Sequence, residues 1–124
     1  MGARYRLILQ RPLNGLAPSL ALPELYREQR RIDPLLSWRE LPPIRHFVCA
    51  LDCDEPTGER LDCWHDAETG RRLVHAILGL IHSDALAFGN RQALLLELYD
   101  FSERMERARF GDNRWHLGLE LAFD

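Results

Sequence analysis

The chain is 124 residues long, 46% of them hydrophobic and 28% charged, with a formal net charge of −3, and this length fits a single domain with a modest core. No apolar run reaches the roughly 18 residues that a membrane span needs, so the sequence argues against a transmembrane protein. Seven acidic residues and a single Arg lie between Asp52 and Glu68, which argues against nucleic acid as the main ligand because phosphate binding needs a basic surface.

The N-terminus and the cysteines predict a cytoplasmic protein. The segment MGARYRLILQRPLNG contains a very short apolar run with no A-x-A-like cleavage site after it, so we expect no signal peptide. Three cysteines is an odd count, and it fits a reducing compartment better than a disulfide scaffold.

The first part of the chain predicts a strand, a loop and a helix. Residues 4–11 alternate apolar side chains with Arg and Gln, which indicates a strand. The segment PLNGLAPSLALP is rich in Pro and Gly and indicates a loop. A helix begins at Pro23, a favourable residue for a first turn. We expect it to end at Asp33-Pro34, because a residue before proline disfavours the helical conformation, and LLSWRELPP to be a short helical turn or a loop.

The middle of the chain predicts a three-stranded meander. Residues 44–55 and 59–66 resemble strands, and Glu55-Pro56-Thr57-Gly58 has the composition of a turn. A third strand is expected near residues 71–82. The sequence LVHAILGLIH within it has apolar residues at both odd and even positions. A buried helix is therefore the alternative to a strand, and periodicity does not decide between the two.

The last part of the chain predicts a long helix and a strand. Asn90 is a suitable N-cap and Gly111 a suitable C-terminal residue, and apolar residues repeat at intervals of three and four between them. Residues 115–123 alternate as a strand does. The predicted fold class is therefore α+β, in a single domain. An antiparallel sheet of the N-terminal strand, the three-stranded meander and the C-terminal strand packs against one long amphipathic helix and a shorter N-terminal helix.

The candidate site lies in FVCALDCDEPTGERLDCWHD, residues 47–66. If a hairpin closes around Gly58, strand alternation puts four Asp residues and Trp64 on one face. Trp is a preferred anchor at protein interfaces, and the acidic charge would steer a basic partner onto it. A solvated hairpin with Trp64 packed on a neighbour is the alternative. The predicted partner-binding residues are Asp52, Asp54, Glu55, Asp62, Trp64 and Asp66.

The other face of that hairpin collects Cys49, Cys53, Cys63 and His65. Such a set could hold zinc, but its spacing differs from that of the usual zinc knuckle, and its apolar neighbours favour cysteines packed in the core. A redox pair of Cys53 and Cys63 is a third possibility. The sequence DCDEPT also resembles the first motif of haloacid-dehalogenase-type phosphatases, although its Thr stands one place late and the chain contains no Lys.

Sequence motifs typical of catalysis are not present. The chain has no H-E-x-x-H, no G-x-S-x-G and no glycine-rich phosphate loop. We therefore expect a protein that is not an enzyme and that holds no cofactor and no metal.

In size, acidity and predicted order of elements, the chain resembles small bacterial immunity proteins, which are antidotes to toxins, and IDPLLSW is similar to stretches in some immunity families. The resemblance implies a protein that neutralises a basic toxin domain through the acidic hairpin face, with no nucleic-acid or membrane partner. Two alternatives stay open. One is a small regulatory or adaptor protein able to form a homodimer, and the other is a divalent-metal-dependent enzyme that uses Asp52 and Asp54.

Overall fold

The computed structural model describes residues 2–17, 19–49, 64–83 and 90–122 of the chain. Within these ranges it has the α+β architecture that the sequence predicts. In chain order the elements are β1 (Gly2–Leu9), β2 (Ser19–Leu22), α1 (Pro23–Trp38), a 3-10 helix (Ile44–Phe47), β3 (Val48–Cys49), α2 (Ala67–His82), α3 (Arg91–Phe110) and β4 (Trp115–Ala122).

The strands form a mixed sheet in the order β2-β1-β4-β3. β1 runs antiparallel to both β2 and β4, whereas β3 runs parallel to β4. The prediction of a purely antiparallel sheet is therefore wrong. A parallel pair needs a long crossover between its strands, and α2 and α3 lie in the chain between β3 and β4.

One face of the sheet is buried against the helices. On β1 the side chains of Tyr5, Leu7 and Leu9 are buried, and on β4 those of Trp115 and Leu117. Antiparallel register places Leu7 beside Leu117 and Leu9 beside Trp115, so these residues share one face. We call the opposite side the outer face; β1 and β4 contribute Arg4, Arg6, His116, Gly118 and Glu120 to it.

The predicted third strand near residues 71–82 is wrong, and the alternative, a buried helix, is what the structure shows. Asp66 caps α2 by accepting a hydrogen bond from the Thr69 N–H at 2.7 Å. With the helix started there, the apolar residues of the segment fall on one stripe. The buried members of this stripe are Leu73, Val74, Ile77, Leu80 and Ile81.

α1 and β2 also differ from the sequence predictions. α1 continues through Pro34 to Trp38 instead of ending at Asp33. A proline inside a helix costs about 3 kcal/mol, and the fully buried Leu36 in the added turn helps to offset that cost. Residues 19–22 were expected to be loop, but they form β2 because the edge of β1 offers them backbone partners. The predicted strand over residues 44–55 is wrong at its start, since Ile44–Phe47 form a 3-10 helix and the strand begins only at Val48.

α3 begins and ends where the caps predict. The Asn90 side chain accepts a hydrogen bond from the Ala93 N–H at 3.2 Å, and Gly111 is the C-cap. Its buried residues are those of the predicted apolar repeat, namely Leu94, Leu98, Phe101, Met105 and Ala108. A search of the described helices for one long and apolar enough to cross a membrane finds none.

Candidate binding surface around Trp64

The described part of the chain includes two of the six predicted partner-binding residues. Trp64 and Asp66 lie in the segment that leads into α2, whereas Asp52, Asp54, Glu55 and Asp62 lie outside the described residues. The hairpin turn and most of its two predicted strands also lie outside them. The hypothesis of one continuous acidic face therefore stays a prediction.

Trp64 stacks on the imidazole ring of His116. The ring centroids are 4.1 Å apart and the planes are inclined by 31°. His116 points to the outer face because its neighbours Trp115 and Leu117 are turned towards the helices. The indole is half-buried, so the stacking orients it while part of its surface remains accessible. Trp in such a position gives a large contact area with little loss of side-chain freedom on binding.

His65 fixes the segment that carries Trp64 to the sheet. Its N–H donates to the Trp115 carbonyl at 2.8 Å, and its own carbonyl accepts from the Trp115 N–H at 3.0 Å. Its ring lies against Phe47, Trp115 and His46, at centroid distances of 4.9, 5.5 and 5.7 Å. Burial lowers the pKa of His65, and the neighbouring His46 lowers it further. The neutral imidazole is thus favoured in this position.

Asp66 has a structural role in addition to its predicted one. Its Oδ1 accepts from both the Thr69 N–H, at 2.7 Å, and the Thr69 hydroxyl, at 2.5 Å. These hydrogen bonds are the main reason that the pKa of Asp66 is lowered. The carbonyl of the same residue accepts from Trp115 Nε1 at 2.8 Å. The exposed carboxylate is therefore already used as a helix cap, with its charge near the favourable end of the α2 dipole.

Two arginines on the outer face bind one glutamate. Glu120 Oε2 accepts from Arg4 Nε at 2.8 Å and from Arg6 Nη1 at 3.0 Å, and Arg6 Nε also donates to the Ser19 hydroxyl at 3.0 Å. The hydrogen bond from Arg4 is the largest of the effects that lower the pKa of Glu120. The outer face of β1, β2 and β4 thus carries an ordered polar network in addition to the stacked pair of Trp64 and His116.

In the parts of the chain that the structure describes, no group of three or more His, Cys, Asp or Glu side chains is arranged to hold a metal ion. Of the four residues considered as zinc ligands, Cys49 is a half-buried thiol and His65 packs among aromatic rings, while Cys53 and Cys63 lie outside the described residues.

The sequence did not predict that His116 stacks on Trp64, or that Arg4 and Arg6 bind Glu120 on the outer face. The alternation of residues 4–11 and 115–123 correctly separates the two sides of each strand. This alternation does not reveal that β1 pairs with β4, a pairing that sets Arg4 opposite Glu120 and Ile8 opposite His116. Strand pairing across such a distance in the chain leaves no local signal.

Comparison with protein-family models, with curated proteins and with solved structures finds no match for this chain.

Proposed function

We propose that this chain is a toxin-neutralising binding protein of the immunity type, which contacts a basic protein partner through Trp64 and the acidic residues that precede it. The observation that carries the proposal is the half-buried indole of Trp64, stacked on His116 at the outer face of the sheet. An anchor that is ordered before binding loses little freedom in the complex, and this favours tight association.

The charge of the sequence supports a basic partner. Five acidic residues and one Arg lie between residues 52 and 63, directly before Trp64 in the chain. An acidic surface accelerates association with a basic protein and disfavours acidic competitors. The predicted contact residues in this stretch are Asp52, Asp54, Glu55 and Asp62. Asp66 adds an exposed carboxylate after Trp64.

A pair of tryptophan variants tests the proposal. The candidate partner is the product of the gene beside that of this chain, because immunity and toxin genes are commonly neighbours. Trp64→Ala should weaken binding at least about 30-fold, the loss expected for a hot-spot residue. Trp38→Ala is the matched control, since this side chain is 86% exposed at the end of α1 and lies far from Trp64 in the chain. Calorimetric titration would measure both affinities.

A charge variant tests the acidic part of the surface separately. Asp52→Asn, Asp54→Asn and Asp62→Asn together should slow association and flatten its salt dependence, while changing the dissociation rate less. Protection of growth during toxin expression should fall in the same order as the affinities. If Trp64→Ala binds as tightly as the parent, or if only Trp38→Ala loses affinity, the proposed surface is wrong.

A second candidate function, that of a homodimeric adaptor, is favoured by a patch on α3. Leu96 is 60% exposed and Tyr99 is 52% exposed, and they lie three residues apart on one side of the helix. If the molecular mass of the parent in solution doubles as the protein concentration rises, and that of Leu96→Glu does not, this function would be supported over the first.

A further inference from the structure

A cleft of about 390 Å³ lies between α1 and the 3-10 helix, which is within the range of small-ligand pockets, about 300–1,000 Å³. Arg30, Pro34 and Ser37 follow one another at intervals of four and three residues, so they form one stripe of α1 that faces the cleft. The lining residues are Gln29, Arg30, Asp33, Pro34, Ser37 and Arg45.

Two arginines with exposed side chains, Arg30 and Arg45, line this cleft, and the charge of Arg45 also acts on the Asp33 carboxylate. Among the described residues, Arg30 and Arg45 form no ion pair, whereas Arg27 and Arg31 on the same helix pair with glutamates. A guanidinium offers donors in a planar fork that matches the oxygens of a phosphate or a carboxylate. The Ser37 hydroxyl is exposed on the same stripe and adds a further donor.

Asp33 forms the buried part of the cleft wall, and its carboxylate is already engaged. Its Oδ1 accepts from the Ile44 N–H at 2.7 Å, and the Arg45 N–H also donates to this side chain. Burial raises the pKa of Asp33, while these two bonds from the start of the 3-10 helix and the charge of Arg45 lower it and offset part of that effect. The two hydrogen bonds also hold the backbone of Arg45 against α1, so that Arg45 lines the same cleft as Arg30.

We propose that this cleft is a binding site for a small oxyanion, a phosphate or a carboxylate, held by the guanidinium groups of Arg30 and Arg45 and by the Ser37 hydroxyl. The site is separate from Trp64, and it does not depend on the function proposed above.

Titration with inorganic phosphate, and separately with succinate, tests this site. Both titrations are made at constant ionic strength with chloride as the reference anion, because screening alone alters arginine signals. NMR would follow the Nε–H groups of the arginines and the amide of Ser37. We expect saturable shifts at Arg30, Arg45 and Ser37, and affinity reduced about tenfold or more in Arg30→Gln and in Arg45→Gln. Arg39→Gln is the control, since it removes the same charge from the end of α1 outside the cleft.

The two titrations distinguish a site for phosphate from a site for oxyanions in general. Saturation by phosphate alone would assign a phosphate site, and saturation by both would assign a general oxyanion site; either supports the proposal if Arg39→Gln still binds. The proposal fails if neither anion saturates the signals, or if the signals of Arg39 follow those of Arg30 and Arg45. Arg45→Gln retains the backbone bond to Asp33, and its amide spectrum would verify that the fold is intact.

Discussion

At the scale of single residues, Gly70 shows how the size of one side chain sets the packing around Trp115. Gly70 lies in the first turn of α2, where a Cβ would meet Trp115 Nε1 at 2.8 Å and would also contact Met105 Sδ. Trp115 is fully buried and its Nε1 is committed to the Asp66 carbonyl. The methionine can move, but the indole ring has no room to do so without losing that hydrogen bond.

Substitution of either of two glycines in α2 should therefore change the stability of the protein, in opposite directions. Gly70→Ala should destabilise the protein by about 2 kcal/mol, because overpacking forces the ring of Trp115 to shift. Gly79→Ala should stabilise it by about 0.5–1 kcal/mol, since nothing lies within 4 Å of the added methyl group. Urea unfolding of both variants measures the two changes. A Gly70→Ala variant as stable as Gly79→Ala would contradict the packing described for Trp115.

At the scale of elements, α1 depends on a side chain from α3. The residue before the helix, Leu22, has no side chain able to cap it. Instead, Glu97 Oε2 accepts from the Glu24 N–H at 2.8 Å and Glu97 Oε1 accepts from the Leu25 N–H at 3.0 Å. Burial raises the pKa of Glu97, while these two hydrogen bonds lower it and offset part of that effect. The carboxylate thus replaces the local cap that the sequence lacks.

Removal of the Glu97 carboxylate should destabilise the protein more than removal of an exposed carboxylate on the same helix, α3. Glu97→Ala should lower the free energy of unfolding by about 1–3 kcal/mol, because it leaves two N–H groups without acceptors. Glu97→Gln should lose less, since one amide oxygen remains. Glu103→Ala is the control: Glu103 pairs only with exposed Arg107 among the described residues, so its loss should stay below about 0.5 kcal/mol. Thermal unfolding of the three variants would rank them, and an equal loss in both Ala variants would argue against the cap.

Local signals in the sequence explain why some elements could be predicted and others could not. Helix α3 carries its own caps and a regular apolar repeat, and β1 and β4 alternate clearly. The segment LVHAILGLIH has apolar residues at both odd and even positions, so its pattern alone does not separate strand from helix, and its helical state depends on the Asp66 cap and on burial. β2 is only four residues long and depends on β1, while the Glu97 cap joins positions that are 73 residues apart. At the candidate site, Trp64 stood out by residue type, but its support by His116 follows from tertiary structure.

At the scale of the whole molecule, the first and last strands are neighbours in the sheet. β1 pairs with β4 over its full length, from Gly2 beside Ala122 to Leu9 beside Trp115. The residues of one ion pair between them are 116 positions apart. Closing so long a loop is entropically costly and slows folding. The sheet, and with it the outer face that supports Trp64, is completed only when these strands meet.

A circular permutant tests how strongly this pairing limits folding. The chain is joined from Asp124 to Met1 through a short Gly-rich turn and opened between Glu40 and Leu41, two exposed residues that follow α1, so that β1 stays next to β2 and α1 in the chain. β4 and β1 then become a local hairpin, and folding should accelerate at least about tenfold, since contact order falls. Stopped-flow fluorescence of the tryptophans measures the rate. An unchanged folding rate at equal stability would mean that β1 and β4 pair after the rate-limiting step.

The Glu97 cap also has a consequence for the native ensemble. The first amides of a helix normally exchange with solvent through fraying, since they lack partners within the helix. Those of Glu24 and Leu25 are bonded to a carboxylate on another helix, so their exchange requires α1 and α3 to separate. The start of α1 is thereby included in the same cooperative opening unit as α3. Protection of these two amides consequently reports on the integrity of the helical layer and not on the end of one helix.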